Sequence, residues 1–155
     1  MGAFAEAAAF YSRLGLVPTP TGGRDGKVPL LKGYARRALK GAAIARVSSK
    51  FPDANVALVT GPSDLNVLDI DDPSLLKQML KRFGETPLIT QTAGRGGFQA
   101  FYRASPYVRA IDLRSTDGLP VEIKAGGNIV IAPPSRNPIT NRAYRPVEGQ
   151  FDAKT

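Results

Sequence analysis

The 155-residue chain has no cysteine, no histidine and no tryptophan. Without cysteine there can be no disulfide, thiolate metal site or thiol nucleophile. Without histidine there is no imidazole ligand, no Ser-His triad and no imidazole proton relay. Any bound metal must therefore take oxygen ligands, which favours hard cations such as Mg²⁺ or Mn²⁺. Any catalysis must run on carboxylates, Lys, Arg, Tyr or hydroxyls. Long apolar runs are missing too, since none approaches the ~20 residues of a membrane-spanning helix. The opening "MGAFAEAAAF" lacks the basic start of a secretory leader and carries Glu6. The expectation is a soluble, cytoplasmic protein with no membrane partner. Acid is scarce, with 13 Asp and Glu against 21 Lys and Arg, for a net charge of +8. That balance suits a polyanionic partner, nucleic acid or nucleotide, and equally suits a domain that is merely basic. Five Tyr and seven Phe place no base-stacking platform on particular residues.

What is present reads as one domain of alternating helices and strands, with 43% hydrophobic residues. Apolar positions at helical spacing predict a helix over residues 3–14, capped by Gly15. "LVPTPTGGRDGKVPLLKGY" reads as a short strand and then a loop. Residues 35–51 read as a second helix despite Gly41. "NVALVTG" and "LNVLDID" are β-branched runs around a "PSD" turn and predict a strand pair. Asp72 before Pro73 is a helix start, an N-cap followed by proline at the first helical position. That helix runs to Gly84. "PLITQTA" and "FQAFYRA" read as strands separated by "GRGG", and "LPVEIK" and "NIVIAPP" as a hairpin around "AGG". There is no regular βαβ rhythm, so the class is α+β. The segment after Tyr144 reads as loose.

Few acids, yet three of them crowd into "VLDIDDP". Strand alternation puts Asp69 and Asp71 on one face, about 7 Å apart, with Leu68 and Ile70 on the other. Asp72 is the cap. The pair either converges on a cation or solvates a strand end. "VEIK" repeats the pattern, with Glu122 and Lys124 sharing a face. Glu122 is a third carboxylate for a divalent-ion site of the kind that activates a 3′ hydroxyl and steadies a pyrophosphate. Lys124 beside it is equally readable as an exposed ion pair. "TAGRGGFQAFY" offers unobstructed backbone amides and Arg95 to a phosphate, or is a plain Gly-rich hairpin turn. Lys27 in "GRDGKVP" sits in a loop, where it reaches a triphosphate or stays solvated. "APPSRN" is a stiff turn presenting Ser135 and Arg136.

In this order, "YSRLGLVPTP", "GKVPLLKGY", "NVALVTGPSDLNVLDID", "TAGRGGFQAFY" and "VEIKAGGNIVIAPPS" resemble the N-terminal primase/polymerase (Prim-Pol) domain of the archaeo-eukaryotic primase superfamily. Such domains occur in plasmid, phage and mobile-element replication proteins. The resemblance implies an RNA-recognition-like sheet packed against a small α/β unit. It also implies a catalytic domain over residues 1–150, part of a longer replication protein, with 151–155 as a tail. The activity implied is template-directed nucleotidyl transfer, with DNA template and primer, nucleoside triphosphates and a helicase domain or partner. The family's acid-x-acid pair falls on Asp69 and Asp71 and its third acid on Glu122, together holding Mg²⁺ or Mn²⁺. The Gly-rich turn falls on Gly96 and Gly97, and Gln99 stands where the family carries a phosphate-contacting His. Lys124 would sit near the same nucleotide, and Ser135 would line its pocket. Gln donates a hydrogen bond but carries no charge, and a charged donor makes a bond about twice as strong. A non-catalytic DNA- or nucleotide-binding domain of the same fold is therefore a second reading. A metal-dependent nuclease is a third, because Asp112 followed by "EIK" imitates a D…(D/E)xK pattern.

Overall fold

In the computed structural model, which describes residues 1–94 and 96–148, the Ala-rich opening segment is helix α1 (Ala3–Arg13). Its Phe4, Ala8 and Tyr11 are buried, the stripe that helical periodicity turns to one side. Gly15, at φ +81°, ends it, and the Leu16 N–H returns to the Tyr11 carbonyl. The Pro- and Gly-rich stretch that follows holds two strands rather than one, β1 (Pro18–Gly22) and β2 (Val28–Pro29), paired antiparallel. The expected helix over 35–51 is shorter. Helix α2 (Ala42–Lys50) starts only after Gly41, whose φ of +52° interrupts the helical path, and Tyr34–Arg36 is a separate 3₁₀ turn.

Strands β3 (Asn55–Val59) and β4 (Leu65–Ile70) follow, but they are not a pair. Asp72 and Pro73 behave as punctuation: Asp72 Oδ1 accepts from the Ser74 N–H (2.9 Å) and hydroxyl (2.7 Å). The Pro73–Leu75 3₁₀ turn then leads into α3 (Leu76–Phe83). Strands β5 (Ile89–Gln91) and β6 (Phe98–Arg103) form the expected hairpin. After β7 (Ile111–Asp112) and the short helix α4 (Leu113–Asp117) come β8 (Val121–Lys124) and β9 (Ile129–Ile131). The segment expected to be loose after Tyr144 instead contributes β10 (Arg145–Glu148), which pairs with β5. Pro146 suits this sheet edge, and Arg145 grips the Gln91 side chain at 2.9 and 2.6 Å.

Among the described residues the strands form two antiparallel sheets, ordered β2-β1-β3-β9 and β10-β5-β6-β4-β8-β7. β3 lies in the first and β4 in the second; β8 lies in the second and β9 in the first. The chain therefore crosses between sheets three times: once after β9 on the way to β10, and, where sequence alone suggested two local hairpins, at "GPSD" and at "AGG". The "GPSD" and "AGG" crossings meet where the Gly61 N–H donates to the Gly126 carbonyl at 2.7 Å. A Cβ on Gly61 would lie 2.7 Å from that oxygen, so only glycine allows the approach.

The main core joins α1 and α2 to β3, β9, Leu65, Val67 and Phe101. A second core, with Leu68, Ile70, Met79, Ala100, Leu113, Val121 and Ile123, packs α3 and α4 on the other face of the six-stranded sheet. Each large side chain taken fully from water contributes ~1.5–3 kcal/mol. The class is α+β, as expected. No helix among the described residues is long and apolar enough to cross a membrane.

Candidate active site

Strand alternation in β4 sends Leu68 and Ile70 into the second core and leaves Asp69 for the opposite side, where Asp71, one residue past the strand, joins it in lining the cleft. Register then decides what meets Asp69. It stands opposite Gln99 of β6 and Glu122 of β8, and Glu122 in turn stands opposite Asp112 of β7. Gln99 is opposite Thr90 of β5. Directly paired residues share a face, so Thr90, Gln99, Asp69, Glu122 and Asp112 form one polar row across the sheet. Two members of the row, Asp69 and Gln99, line a cleft of about 620 Å³ between the two sheets, with Asp71 and Lys124 beside them and Ile129–Ile131 on the other side; Glu122 stands next to Asp69 but outside this lining. Lys27 and Asp25, from the β1–β2 turn, also line it.

The electrostatics of the row are unbalanced. Burial, then the charges of Asp71 and Glu122, push the Asp69 carboxyl up to about 6, although Lys124 and Lys27 pull the other way. Asp71 is paired with Arg114 of α4, and Glu122 with Lys124 at 2.9 Å. As the side chains are turned, no three acidic residues among those described come close enough together to hold a metal ion. Both ion pairs are partly exposed, with Asp71 at 52% and Glu122 at 40% side-chain exposure, the range in which such pairs contribute ~0–1 kcal/mol.

The remaining sequence-predicted residues divide. Gln99 is buried in the cleft wall, its amide oxygen accepting from Thr90 Oγ1 at 2.8 Å. Gly94 and Gly97 line the cleft at the β5–β6 turn, and Gly96, between the two, has φ +83°. Arg95 lies outside the described residues. Ser135 does not reach the cleft lining. It is fully buried, accepting from the Val56 N–H (2.9 Å) and donating to the Val56 carbonyl (3.0 Å). In that position it splints the turn after β9 to β3.

The model of the N-terminal domain of bifunctional DNA primase/polymerase (Prim-Pol) matches residues 7–154. The chain belongs to the Prim-Pol family. No curated protein matches it. The family is one of DNA primases/polymerases, whose substrates are DNA and nucleotides.

Two residues at or beside the cleft of this Prim-Pol domain carry no signal in its sequence. Arg114 holds Asp71 from 43 residues away. Its own placement rests on Asp112, whose carboxylate caps α4 by accepting from the Arg114 N–H at 2.9 Å. Tyr144 sits buried in the cleft, and burial, then the charges of Asp69 and Asp25, push its hydroxyl up to about 12. Its aromatic ring packs with Ala57, Ala93 and Ile131, which reads in sequence as ordinary core.

Ser135→Ala is expected to lower stability by roughly 1–3 kcal/mol, because it strands the buried Val56 N–H, while the Val56 carbonyl keeps the Ala132 N–H at 2.9 Å. Denaturant unfolding checks this. A nucleotide KM that rises without any loss of stability would instead return Ser135 to the pocket.

Proposed function

We propose that this domain is a template-directed nucleotidyltransferase, a DNA primase/polymerase of a plasmid-, phage- or mobile-element-type replication system. In this reading the fold is archaeo-eukaryotic primase-like. The six-stranded sheet is its RNA-recognition-like layer, and the four-stranded sheet with α1 and α2 its smaller unit. Residues 1–150 act as one catalytic domain within a longer replication protein that works beside a helicase. The observation that carries the reading is the polar row, with Asp69 directly opposite Glu122 and Gln99 at the mouth of a cleft, in a chain of this family.

Asp69, Asp71 and Glu122 would hold Mg²⁺ or Mn²⁺. The fit is chemical: the donors are all oxygen, and the raised Asp69 carboxyl marks a place short of positive charge. Turning Asp71 and Glu122 toward a shared ion gives up only two partly exposed pairs. When bound, a divalent ion supplies charge that activates a 3′ hydroxyl and steadies the leaving pyrophosphate. In the transfer the 3′ oxygen bonds to the α-phosphorus of the triphosphate while the bond to pyrophosphate breaks. The chain's own part is positioning and charge. Lys27 and Lys124 offset the triphosphate, with Arg95 and Arg114 as further cations. Gln99 uses its carbonyl end on Thr90, so its amide N–H groups are the end offered to phosphate. Gly96 and Gly97 keep the turn bare enough for a phosphate to approach backbone.

The test is one denaturing gel. A labelled primer–template is incubated with the four dNTPs and Mg²⁺ or Mn²⁺, beside an Asp69→Ala/Asp71→Ala control. Lengthening that the control abolishes is the expected result. Shortening would replace the reading with the nuclease, although the Asp112 carboxylate that reading needs is engaged as a helix cap. Binding of DNA or nucleotide with no change in length would leave a domain that keeps the fold without the chemistry.

A further inference from the structure

The six-stranded sheet has a second face, and α3 and α4 do not cover all of it. Beyond them lies a groove of about 650 Å³, within the range of ligand pockets. Its floor is Leu68 and Ile123, which stand opposite each other on the side away from Asp69 and Glu122. Three aromatic rings border it: Phe83 from the end of α3, Tyr102 from β6, and Tyr107 from the loop over 104–110. Tyr102 is engaged, donating its hydroxyl to the Gly84 carbonyl at 2.7 Å. Tyr107 is 93% exposed, and Val108 and Ile111 beside it are exposed as well.

The charge of this groove has one sign. Arg103 and Arg109 line it, no Asp or Glu does, and neither arginine is in an ion pair among the described residues. An apolar floor alone would suit many occupants. Stacking rings combined with unpaired guanidinium groups suit a chain that alternates flat apolar faces with phosphates.

We propose that this groove, on the face opposite the catalytic row, binds single-stranded nucleic acid. Bases lie against Tyr107 and Phe83, and phosphates meet Arg103 and Arg109. The bond set is sequence-tolerant, because every base has a stacking face and every link a phosphate. A strand held here is kept clear of the cleft on the other side of the sheet. The proposal needs strand binding only and does not depend on the polymerase reading.

The experiment is fluorescence anisotropy with a labelled twelve-nucleotide oligothymidylate and the whole chain, followed by cross-linking with a 5-iodouracil-substituted copy. Tyr107→Ala should weaken binding about ten-fold, and Tyr107→Phe should restore it. Arg109→Ala should flatten the log–log salt dependence by about one. Cross-links should fall in residues 102–110. Because Tyr107 and Arg109 are exposed, circular dichroism should show both variants folded. The same dependence on Tyr107 is expected in the Asp69→Ala/Asp71→Ala protein, so a failure of primer extension leaves the groove's test intact. Unchanged affinity in both variants, or cross-links confined to the cleft, would overturn the proposal. So would thymidine monophosphate competing as well as the oligomer, which would make the occupant a free nucleotide.

Discussion

Asp69→Asn is expected to abolish nucleotide incorporation and, in the same protein, to raise its stability. The two effects share one cause. Asp69 is a mostly buried carboxyl with Asp71 and Glu122 as neighbours, and its folded value of about 6 stands above the ordinary 3.8. A raised carboxyl binds its proton more tightly in the folded state, so stability falls as pH climbs from about 4 through about 6. Below the ordinary value the penalty is absent, and above about 6 it is complete. The displacement is worth ~3 kcal/mol as an upper figure. Denaturant unfolding without divalent metal should therefore show Asp69→Asn more stable by about 2–3 kcal/mol at pH 8 and level with the parent at pH 4. Mg²⁺ or Mn²⁺ should raise the parent's melting temperature and leave the variant's unmoved, since only a ligand that binds the folded state stabilises it. Incorporation should fall by roughly 10²–10³-fold or more, the scale on which loss of a single charge-stabilising group registers. Equal stability at pH 8 would show that neither burial nor the neighbouring carboxylates penalise a charged Asp69, and the argument for a cation there would lose its electrostatic basis.

Which charged residues share a face within one strand was legible, because alternation along a strand is a local rule. Glu122 and Lys124 had to share a face once β8 was a strand, and Asp71, one residue past the end of β4, still joins Asp69 in the cleft lining. The Asp72–Pro73 start was legible for the same reason, since a cap acts within two or three residues. Strand partners were not. A turn such as "GPSD" looks the same whether the next strand folds back on the last or leaves for another sheet. The difference lies in the meeting of Gly61 with Gly126, residues far apart in the chain. Arg114 was hidden in the same way, because its partner Asp71 leaves no mark near residue 114. Helix α2 was overextended because apolar spacing continues through Gly41, while the backbone does not. Ser135 shows the converse case. Its motif pointed to a pocket, and in the fold its buried hydroxyl is engaged by the neighbouring backbone of Val56.

The Gly-rich turn offers a sharper division that the sequence could not make. Gly94, Gly96 and Gly97 look interchangeable in "TAGRGGFQ", yet their surroundings differ. A Cβ on Gly94 would meet nothing within 4 Å. On Gly96 it would also find space, but at φ +83°, a conformation that side chains disfavour by ~1 kcal/mol. On Gly97 it would run into the Ile70 carbonyl oxygen and lie 3.2 Å from Asp71 Cα. Gly94→Ala should therefore stay within about 0.5 kcal/mol of the parent, Gly96→Ala should lose about 1, and Gly97→Ala about 1–3. Activity should separate them further. The backbone that Gly97→Ala displaces is the one that carries Asp71, and a misplacement of about 1 Å can cost roughly 10²-fold in rate. Primer extension should thus drop far more in Gly97→Ala than its loss of stability explains at a temperature where it remains folded. If instead Gly97→Ala extends primers normally, close contact between the turn and the Asp71 backbone has no part in the chemistry. The role of the turn would then shrink to the bare amides of Gly94 and Gly96.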